Sequence, residues 1–148
     1  MGDDEGSAER RIAASFARQG LMRTLGASLR FVGPGRVEVV LTPGPEVAQQ
    51  HGFVHGGAVV AIADSAAGYA ALSLMPEGHG VLTTELKINF VAPAAGERIV
   101  ARGRVVKAGR TLSLVQTEVF AEHQGHEKLV ALLTATMMTV AGRDGVRD

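Results

Sequence analysis

Apolar and polar residues alternate with a period of two along much of the C-terminal half of the chain, which is the pattern of half-buried β-strands. The alternation is clearest at Leu86, Ile88 and Phe90, which are interleaved with acidic, basic and amide side chains. Four strands joined by short turns are therefore predicted, at residues 80–91, 97–107, 111–122 and 128–140. The last run also fits a helix by periodicity, but its Thr and Val content favours a strand.

A nearly continuous apolar segment precedes these strands. Residues 58–74 are rich in Ala and Leu, and Pro76 and Gly78 mark their end. Because the segment is apolar on almost every side, it is predicted to be a buried helix. The weakly polar run 56–75 has the length of a membrane span. Its Ala-rich and Gly-rich composition and the central Asp64 argue against one, since an acid in hydrocarbon is costly.

The N-terminal part predicts shorter elements. Residues 7–19 are predicted to form a helix, with Ser7 as its N-cap and Gly20 as its end. Residues 25–32 and 36–41 are predicted to form a hairpin around the intervening Gly-Pro-Gly turn.

The order of these elements predicts the architecture. Strands joined by short turns pair antiparallel. A helix, two strands, a buried helix and four strands thus give an α+β fold, in which an antiparallel sheet packs on one apolar helix. We divide the chain into a leader with a short helix at 1–24, one domain at 25–141 and a C-terminal tail at 142–148.

Composition narrows the classes of function. The 148 residues fit one domain. Fifteen Lys and Arg balance fifteen Asp and Glu, so net charge gives no general attraction to nucleic acid or to anionic membranes. The absence of cysteine excludes disulfides, a thiolate nucleophile and cysteine-ligated metals. The first residues lack the basic and apolar regions of a secretory signal, so we expect a cytoplasmic protein.

Asp64 is the first candidate for chemistry. It is the only acidic or basic residue between His55 and Glu77, and its neighbours one helical turn away are apolar or small. A carboxylate in such surroundings loses hydration, so it is tolerated only when it is paired or functional. Asp64 is therefore a candidate catalytic carboxylate, the alternative being a helix acid paired with a basic group elsewhere.

The second candidate is the sequence His55, Gly56, Gly57 directly before that helix. Free amides at a helix N-terminus can bind an anion or polarise a carbonyl, and glycine lets a ligand approach closely. The alternative is a plain glycine turn capped by His55. A metal site built from His51, His55 and Asp64 is a further alternative. No third histidine is near in sequence, so no metal is expected.

A basic stretch lies in the strand region. Residues 98–117 contain no acid and five basic residues: Arg98, Arg102, Arg104, Lys107 and Arg110. The first three share strand parity and are expected on a solvated outer face. Lys107 and Arg110 flank Gly109, where cations beside turn amides suit a phosphate group. The signatures of serine hydrolases, Rossmann dehydrogenases and P-loop nucleotide hydrolases are all missing from the sequence.

Taken in order, four motifs resemble those of the hot-dog fold acyl-CoA thioesterases, in particular the PaaI-like (phenylacetate-pathway) group. They are residues 51–57 (His-Gly-Phe-Val-His-Gly-Gly), Asp64, residues 89–93 (Asn-Phe-Val-Ala-Pro) and residues 106–111 (Val-Lys-Ala-Gly-Arg-Thr). The resemblance covers roughly residues 25–140. It implies a hot-dog fold, an antiparallel sheet wrapped around a long central helix, and hydrolysis of an acyl-CoA without a cofactor. It also implies homodimers whose active sites form between subunits, commonly paired into homotetramers.

The resemblance assigns a role to each matching residue. Asp64 would be a general base or a nucleophile, the Gly57 amide would polarise the thioester carbonyl, and His55 would orient that loop. Thr83, with Thr84 as an adjacent candidate, matches a hydroxyl that positions the water. The CoA arm would contact the strand and turn residues Phe90, Lys107, Gly109, Arg110 and Thr111.

One position departs from the family pattern. Many relatives carry Asn six residues before the motif histidine, whereas this chain has Gln49, with Gln50 and His51 as alternatives. Gln keeps the amide but lengthens the arm by one methylene, which puts the water-positioning role of this residue in question. A non-catalytic acyl-CoA-binding protein of the same fold is therefore the second hypothesis. A hot-dog dehydratase or hydratase is the third, although its Asp/His loop arrangement is not found in the sequence.

Overall fold

Two helices, a hairpin of two strands, a third helix and four further strands follow one another along the chain. The computed structural model describes residues 2–148, with side chains from residue 6 onward. Met1 and the first side chains of the predicted leader therefore lie outside the described residues. The elements are α1 (Gly2–Ala17), α2 (Gly20–Leu25), β1 (Ser28–Gly33), β2 (Arg36–Leu41), a 3-10 turn (Pro45–Val47), α3 (Gly56–Leu72), β3 (Gly80–Phe90), β4 (Arg98–Lys107), β5 (Leu112–His123) and β6 (His126–Val140).

All six strands form one antiparallel sheet in the order β1-β2-β4-β5-β6-β3, so β1 and β3 are its edges. Helix α3 packs against β2 and β3 to β6 on one face of this sheet. A Cβ at Gly103 of β4 would come within 2.5 Å of the Ala66 carbonyl oxygen, so only glycine allows the helix this close to the strand. The predicted α+β architecture, a sheet wrapped around a central helix, is confirmed.

Small residues make α3 suitable for this buried position. Ile62, Ala63, Ala66, Ala67 and Ala70 are all fully buried. Burial of apolar surface contributes about 25 cal/mol per Å² removed from water, so the contact between α3 and the sheet stabilises the fold. None of the described helices combines the length and the apolar character that a membrane span requires.

The N-terminal boundaries differ from those predicted. Helix α1 begins before Ser7, and it ends at Ala17 rather than at Gly20, which instead starts α2. Helix α2 ends at Leu25, and the left-handed backbone of Gly26 (φ 69°) allows a C-cap in which Gly26 and Ala27 donate to carbonyls of the last turn. Residues 25–27 of the predicted first strand are therefore helix and cap, and β1 starts at Ser28.

A register shift in β3 decides which side chains face the helix. The pairing of β3 with β6 is regular on both sides of an irregularity between Thr83 and Glu85. The Thr84 hydroxyl at this bulge donates to the Thr136 carbonyl oxygen, whereas the Thr83 hydroxyl reaches α3. The bulge thus separates the two candidate hydroxyls and directs Thr83 to the helix.

Candidate active site

Asp64 lies on α3 at the wall of a cavity of about 310 Å³. The Thr83 hydroxyl donates a hydrogen bond to Asp64 Oδ1 at 2.8 Å. Asp64 is partly exposed, and Oδ2 has no hydrogen-bond partner among the described residues. The structure therefore holds one carboxylate oxygen by a hydrogen bond and leaves the other without one, an arrangement that suits a base or nucleophile.

The polar side chains around this cavity are paired with one another. Ser65 donates to Gln19 Oε1 at 3.0 Å, and the Ser15 and Tyr69 hydroxyls lie 3.1 Å apart. Burial raises the pKa of the Tyr69 hydroxyl, so this group stays protonated at neutral pH. These pairs satisfy the polar atoms that α1, the chain after it and α3 bring to the wall.

Sequence analysis did not identify these wall residues. Gln19 and Tyr69 carry no motif, and the contact between Gln19 and Ser65 joins positions far apart in the sequence. The tail residues Gly145–Asp148 also line this cavity. Ser65 could have been proposed from the sequence as a residue near the site, because it directly follows Asp64.

The start of α3 is capped by His55. Its Nδ1 accepts a hydrogen bond from the Gly57 amide at 2.8 Å, so the neutral ring carries its proton on Nε2. The predicted role of Gly57 needs this amide to donate to a substrate carbonyl. The imidazole must therefore turn away before the amide can act.

Gln49 is held in the loop before the helix. Its backbone amide donates to the Phe53 carbonyl oxygen, and its side-chain oxygen accepts from the His51 amide. The side-chain NH2 group and the second lone pair of the oxygen are left for contact with a ligand. Beside the loop, Gln49, Gly56 and Phe90 line a groove of about 440 Å³.

One copy of the chain does not bring the predicted catalytic residues into one site. Asp64 follows Gly57 by two helical turns, which is about 10 Å along the helix axis. The cavity at Asp64 and the groove at Gln49 share no lining residue. We call Asp64 and Thr83 one half-site, and Gln49 with His55 and Gly57 at the start of α3 the other. Of the last three residues, only Gln49 lines the groove.

The residues predicted to hold CoA are exposed. Phe90 is 53% exposed and contacts the start of α3, since a Cβ at Gly56 would lie 3.3 Å from its ring. Lys107, Gly109, Arg110 and Thr111 lie at the turn between β4 and β5, and none of them lines the cavity or the groove. A Cβ at Gly109 would clash with the Leu112 carbonyl oxygen, so the turn requires glycine.

The other three arginines of the basic stretch lie on the sheet face opposite α3. Arg102 Nε is 3.1 Å from Glu38, and the guanidinium group also bonds Glu127 and lies over the Phe120 ring. The hydrogen bond from Arg102 lowers the pKa of Glu127. Arg104 donates to Gln116, and Arg98 is largely exposed. These side chains stabilise the outer face and are remote from the cavity at Asp64.

The metal alternative rested on His51, His55 and Asp64. No three His, Cys, Asp or Glu side chains in the part of the chain that the structure describes are grouped closely enough to hold a metal ion. His51, His55 and Asp64 do not converge, because His55 caps the helix two turns before Asp64.

Comparisons with known proteins agree with this fold. Residues 51–128 match the family model of the thioesterase superfamily. The crystal structure of a thioesterase family protein from Silicibacter pomeroyi superposes with a TM-score of 0.89 at 47% identity, covering 91% of this chain and 99% of that one. The PaaI protein of the Escherichia coli phenylacetic acid degradation operon superposes with a TM-score of 0.83 at 24% identity, covering 93% and 96%.

A relative found by sequence similarity points to the same family. The acyl-coenzyme A thioesterase PaaI of Escherichia coli K12 is 25% identical over 130 residues, which are 87% of this chain and 89% of that protein. The family match spans more than half of the chain, and the fold has the sheet-and-helix arrangement of the hot-dog thioesterases. The chain therefore belongs to the thioesterase superfamily, as a thioester hydrolase with the hot-dog fold.

Proposed function

We propose that this protein hydrolyses an acyl-CoA thioester to a free acid and the CoA thiol. The observation that carries this proposal is the Asp64 carboxylate at a cavity wall, held through one oxygen by Thr83. The names of its relatives agree in the type of substrate, since one is an acyl-CoA thioesterase and another is a 1,4-dihydroxy-2-naphthoyl-CoA hydrolase.

Asp64 has two chemically sound routes. As a general base, it takes a proton from water while the water oxygen bonds to the thioester carbonyl carbon, and the carbon–sulfur bond then breaks as the thiol is released. As a nucleophile, its oxygen bonds to that carbon and expels the thiolate, and water then hydrolyses the mixed anhydride. Both routes use the Oδ2 atom, and Thr83 positions the group in each.

The oxyanion is to be stabilised by the amide of Gly57. It lies in the first turn of the 17-residue helix α3, where free amides carry partial positive charge. In the free protein, His55 Nδ1 accepts from this amide. We propose that the substrate carbonyl displaces the imidazole and takes over its hydrogen bond, which leaves His55 free to contact the thioester.

The two half-sites are to be joined by a second copy of the chain. Strand β3 is an edge of the sheet, and its unpaired backbone offers hydrogen bonds to another strand. Leu86 and Phe90 lie on the same face of this strand and are 38% and 53% exposed, while Leu82 on the opposite face is 42% exposed. These exposed apolar side chains favour association. We propose a homodimer paired through β3, in which Asp64 and Thr83 of one copy face Gln49, His55 and Gly57 of the other. Such dimers would associate into tetramers.

Thiol release from a panel of acyl-CoA substrates tests the reaction. The wild type is expected to release CoA, and Asp64→Ala and Asp64→Asn are expected to lose activity by roughly 100-fold or more, because the base or nucleophile is removed. The melting temperature of each variant is the control for folding. Near-normal turnover by Asp64→Ala would refute the assignment of this residue.

A non-catalytic acyl-CoA-binding protein is the second candidate, and one observation favours it. The Gln49 oxygen already accepts from the His51 amide, so one of its two lone pairs is occupied and the side chain is less free to hold an attacking water. Calorimetry with acyl-CoA distinguishes the two functions. Tight binding of every substrate tested, without thiol release, would support the binder.

A further inference from the structure

The cavity at Asp64 is closed at one side by the C-terminal tail. Gly145, Val146, Arg147 and Asp148 line it together with the residues of α1 and α3. These tail residues lie outside the predicted 25–141 domain, yet they form part of the wall beside the proposed catalytic carboxylate. The tail is therefore in a position to limit what the cavity can accept.

A buried ion pair fixes the end of this tail. Arg11 Nε lies 2.7 Å from Asp148 Oδ2, and the two side chains are only 14% and 3% exposed. Arg11 also donates to the Leu72 and Met75 carbonyl oxygens at the end of α3. One guanidinium group thus holds the tail and the catalytic helix together, and a charge pair this buried is lost only at a cost.

Two hydrogen bonds and one close approach also hold the tail against the residues at the start of β3. Asp148 Oδ1 accepts from the Gly78 amide at 3.0 Å, and the Asp148 amide donates to the His79 carbonyl oxygen at 3.2 Å. A Cβ at Gly80 would come within 2.7 Å of the Val146 carbonyl oxygen. The tail therefore packs directly on the first residue of β3, where a side chain would displace it.

The cavity that the tail lines is small. Its volume of about 310 Å³ is at the lower end of the range of about 300–1,000 Å³ found for small-molecule pockets. An acyl group that enters beside Asp64 therefore has to share this limited space with the docked tail.

We propose that the docked tail, held by the Arg11–Asp148 pair, selects compact acyl groups by narrowing the cavity beside Asp64. This rests on the proposed thioesterase function and names its substrate class: acyl-CoA with a short or compact acyl group. Undocking the tail opens the cavity and admits longer chains. Asp148 and Gly80 are thus specificity-determining residues that take no part in the reaction itself.

Two variants undock the tail by independent routes. Asp148→Ala removes the ion pair and the bond to the Gly78 amide, whereas Gly80→Ala leaves both charges in place and forces the Val146 backbone away. Asp144→Asn is the matched control, because Asp144 is an exposed tail residue that does not line the cavity. Hydrogen exchange of the amides of residues 146–148 reports whether the tail is released.

The measurement is kcat/KM for hexanoyl-, octanoyl-, dodecanoyl- and hexadecanoyl-CoA with each protein. The ratio of dodecanoyl to hexanoyl is expected to rise by on the order of tenfold or more in both undocked variants and to stay unchanged in Asp144→Asn. A ratio within one protein sample is insensitive to a general loss of folded enzyme. A released tail with an unchanged ratio would overturn the proposal, as would two variants whose tails stay docked. If neither the wild type nor any variant released thiol from any of these substrates, the thioesterase function itself would be refuted instead.

Discussion

The contact between Asp64 and Thr83 depends on a bulge of one residue. In a regular strand, Thr83 and Glu85 would face the same side of the sheet, whereas the register shift between them lets Thr83 bond the helix and Glu85 bond Thr136. The Thr83 hydroxyl and the Asp64 carboxylate are polar groups that meet between β3 and α3. A hydrogen bond with an oxygen-to-oxygen distance of 2.8 Å joins them.

Replacing Thr83 tests this contact. Thr83→Val keeps the shape of the side chain and removes the hydrogen bond, and kcat is expected to fall about 10- to 100-fold, since a hydrogen bond to a charged group contributes about 1.5–3 kcal/mol. KM is expected to change little, because the carboxylate is held for the chemical step. Steady-state kinetics with an acyl-CoA that the wild type hydrolyses gives both constants.

Thr83→Ser is the matched control, because it retains the hydroxyl on the same strand. It is expected to keep kcat within a few-fold of wild type. Full activity in Thr83→Val at an unchanged melting temperature would show that the hydroxyl has no positioning role.

The sequence allowed Asp64 to be singled out because an acid among small apolar residues is conspicuous, and its place at a cavity agrees with that argument. The occupation of the Gly57 amide by His55 was not foreseen as a competing contact, although His55 as a cap was one of the alternatives. Local spacing reveals which groups are near one another along a helix. It does not reveal which of two acceptors an amide chooses.

At the scale of elements, α3 is defined by small side chains that let the sheet wrap closely around it. The space available for a side chain differs between Gly103, which lies against Ala66, and Gly68, which lies beside Val81. At Gly103 a Cβ would overlap the helix backbone, whereas at Gly68 it would lie 3.9 Å from Val81 Cγ1, an ordinary contact. The same substitution should therefore have opposite effects at the two positions.

Gly68→Ala is expected to stabilise the protein by about 0.5–1 kcal/mol, because glycine inside a helix loses more backbone entropy on folding than alanine does. Gly103→Ala is expected to destabilise it by about 1–3 kcal/mol, since the added methyl group forces the helix and β4 apart. Chemical denaturation at one fixed protein concentration measures both changes. A Gly68→Ala protein that is less stable than wild type would contradict this account of the helix face.

Element boundaries were predictable where the chain carried local signals. The bounds of β2 were predicted correctly, because Gly35 and Pro43 delimit a short run of β-branched residues. Helix α2 was missed, although Gly26 is its C-cap, because six residues give too little periodicity to separate a helix from a strand. The docking of Asp148 on Arg11 joins the segment after β6 to α1, and no local pattern predicts a contact between residues so far apart in sequence.

At the scale of the whole molecule, the division of the predicted catalytic set is the dominant feature. Asp64 and Thr83 lie at one cavity and Gln49 at a separate groove, while β3 is an unpaired edge with an apolar surface. A two-fold symmetric pair brings the same two half-sites together twice. The activity of mixed dimers can therefore test whether each site forms between two copies.

Two inactive variants are expected to complement each other. Asp64→Ala lacks the carboxylate, and Gly57→Pro lacks the helix amide while remaining compatible with the first turn of a helix. In a mixed dimer, the Asp64 of one copy and the Gly57 of the other make one intact site, and the second site lacks both. Random pairing of equal amounts makes half of the dimers mixed, so about a quarter of the wild-type activity returns if the sites form between copies.

The two proteins are mixed after partial denaturation and refolded together, and thiol release is compared with each variant treated alone. Mixing wild type with Asp64→Ala is the control, since it loses activity only in proportion to the damaged sites. If Asp64 and Gly57 acted within a single copy, no pairing would restore a complete site and the mixture would stay inactive. Recovered thiol release would thus place the reaction between two chains, because no protein in the mixture carries both groups.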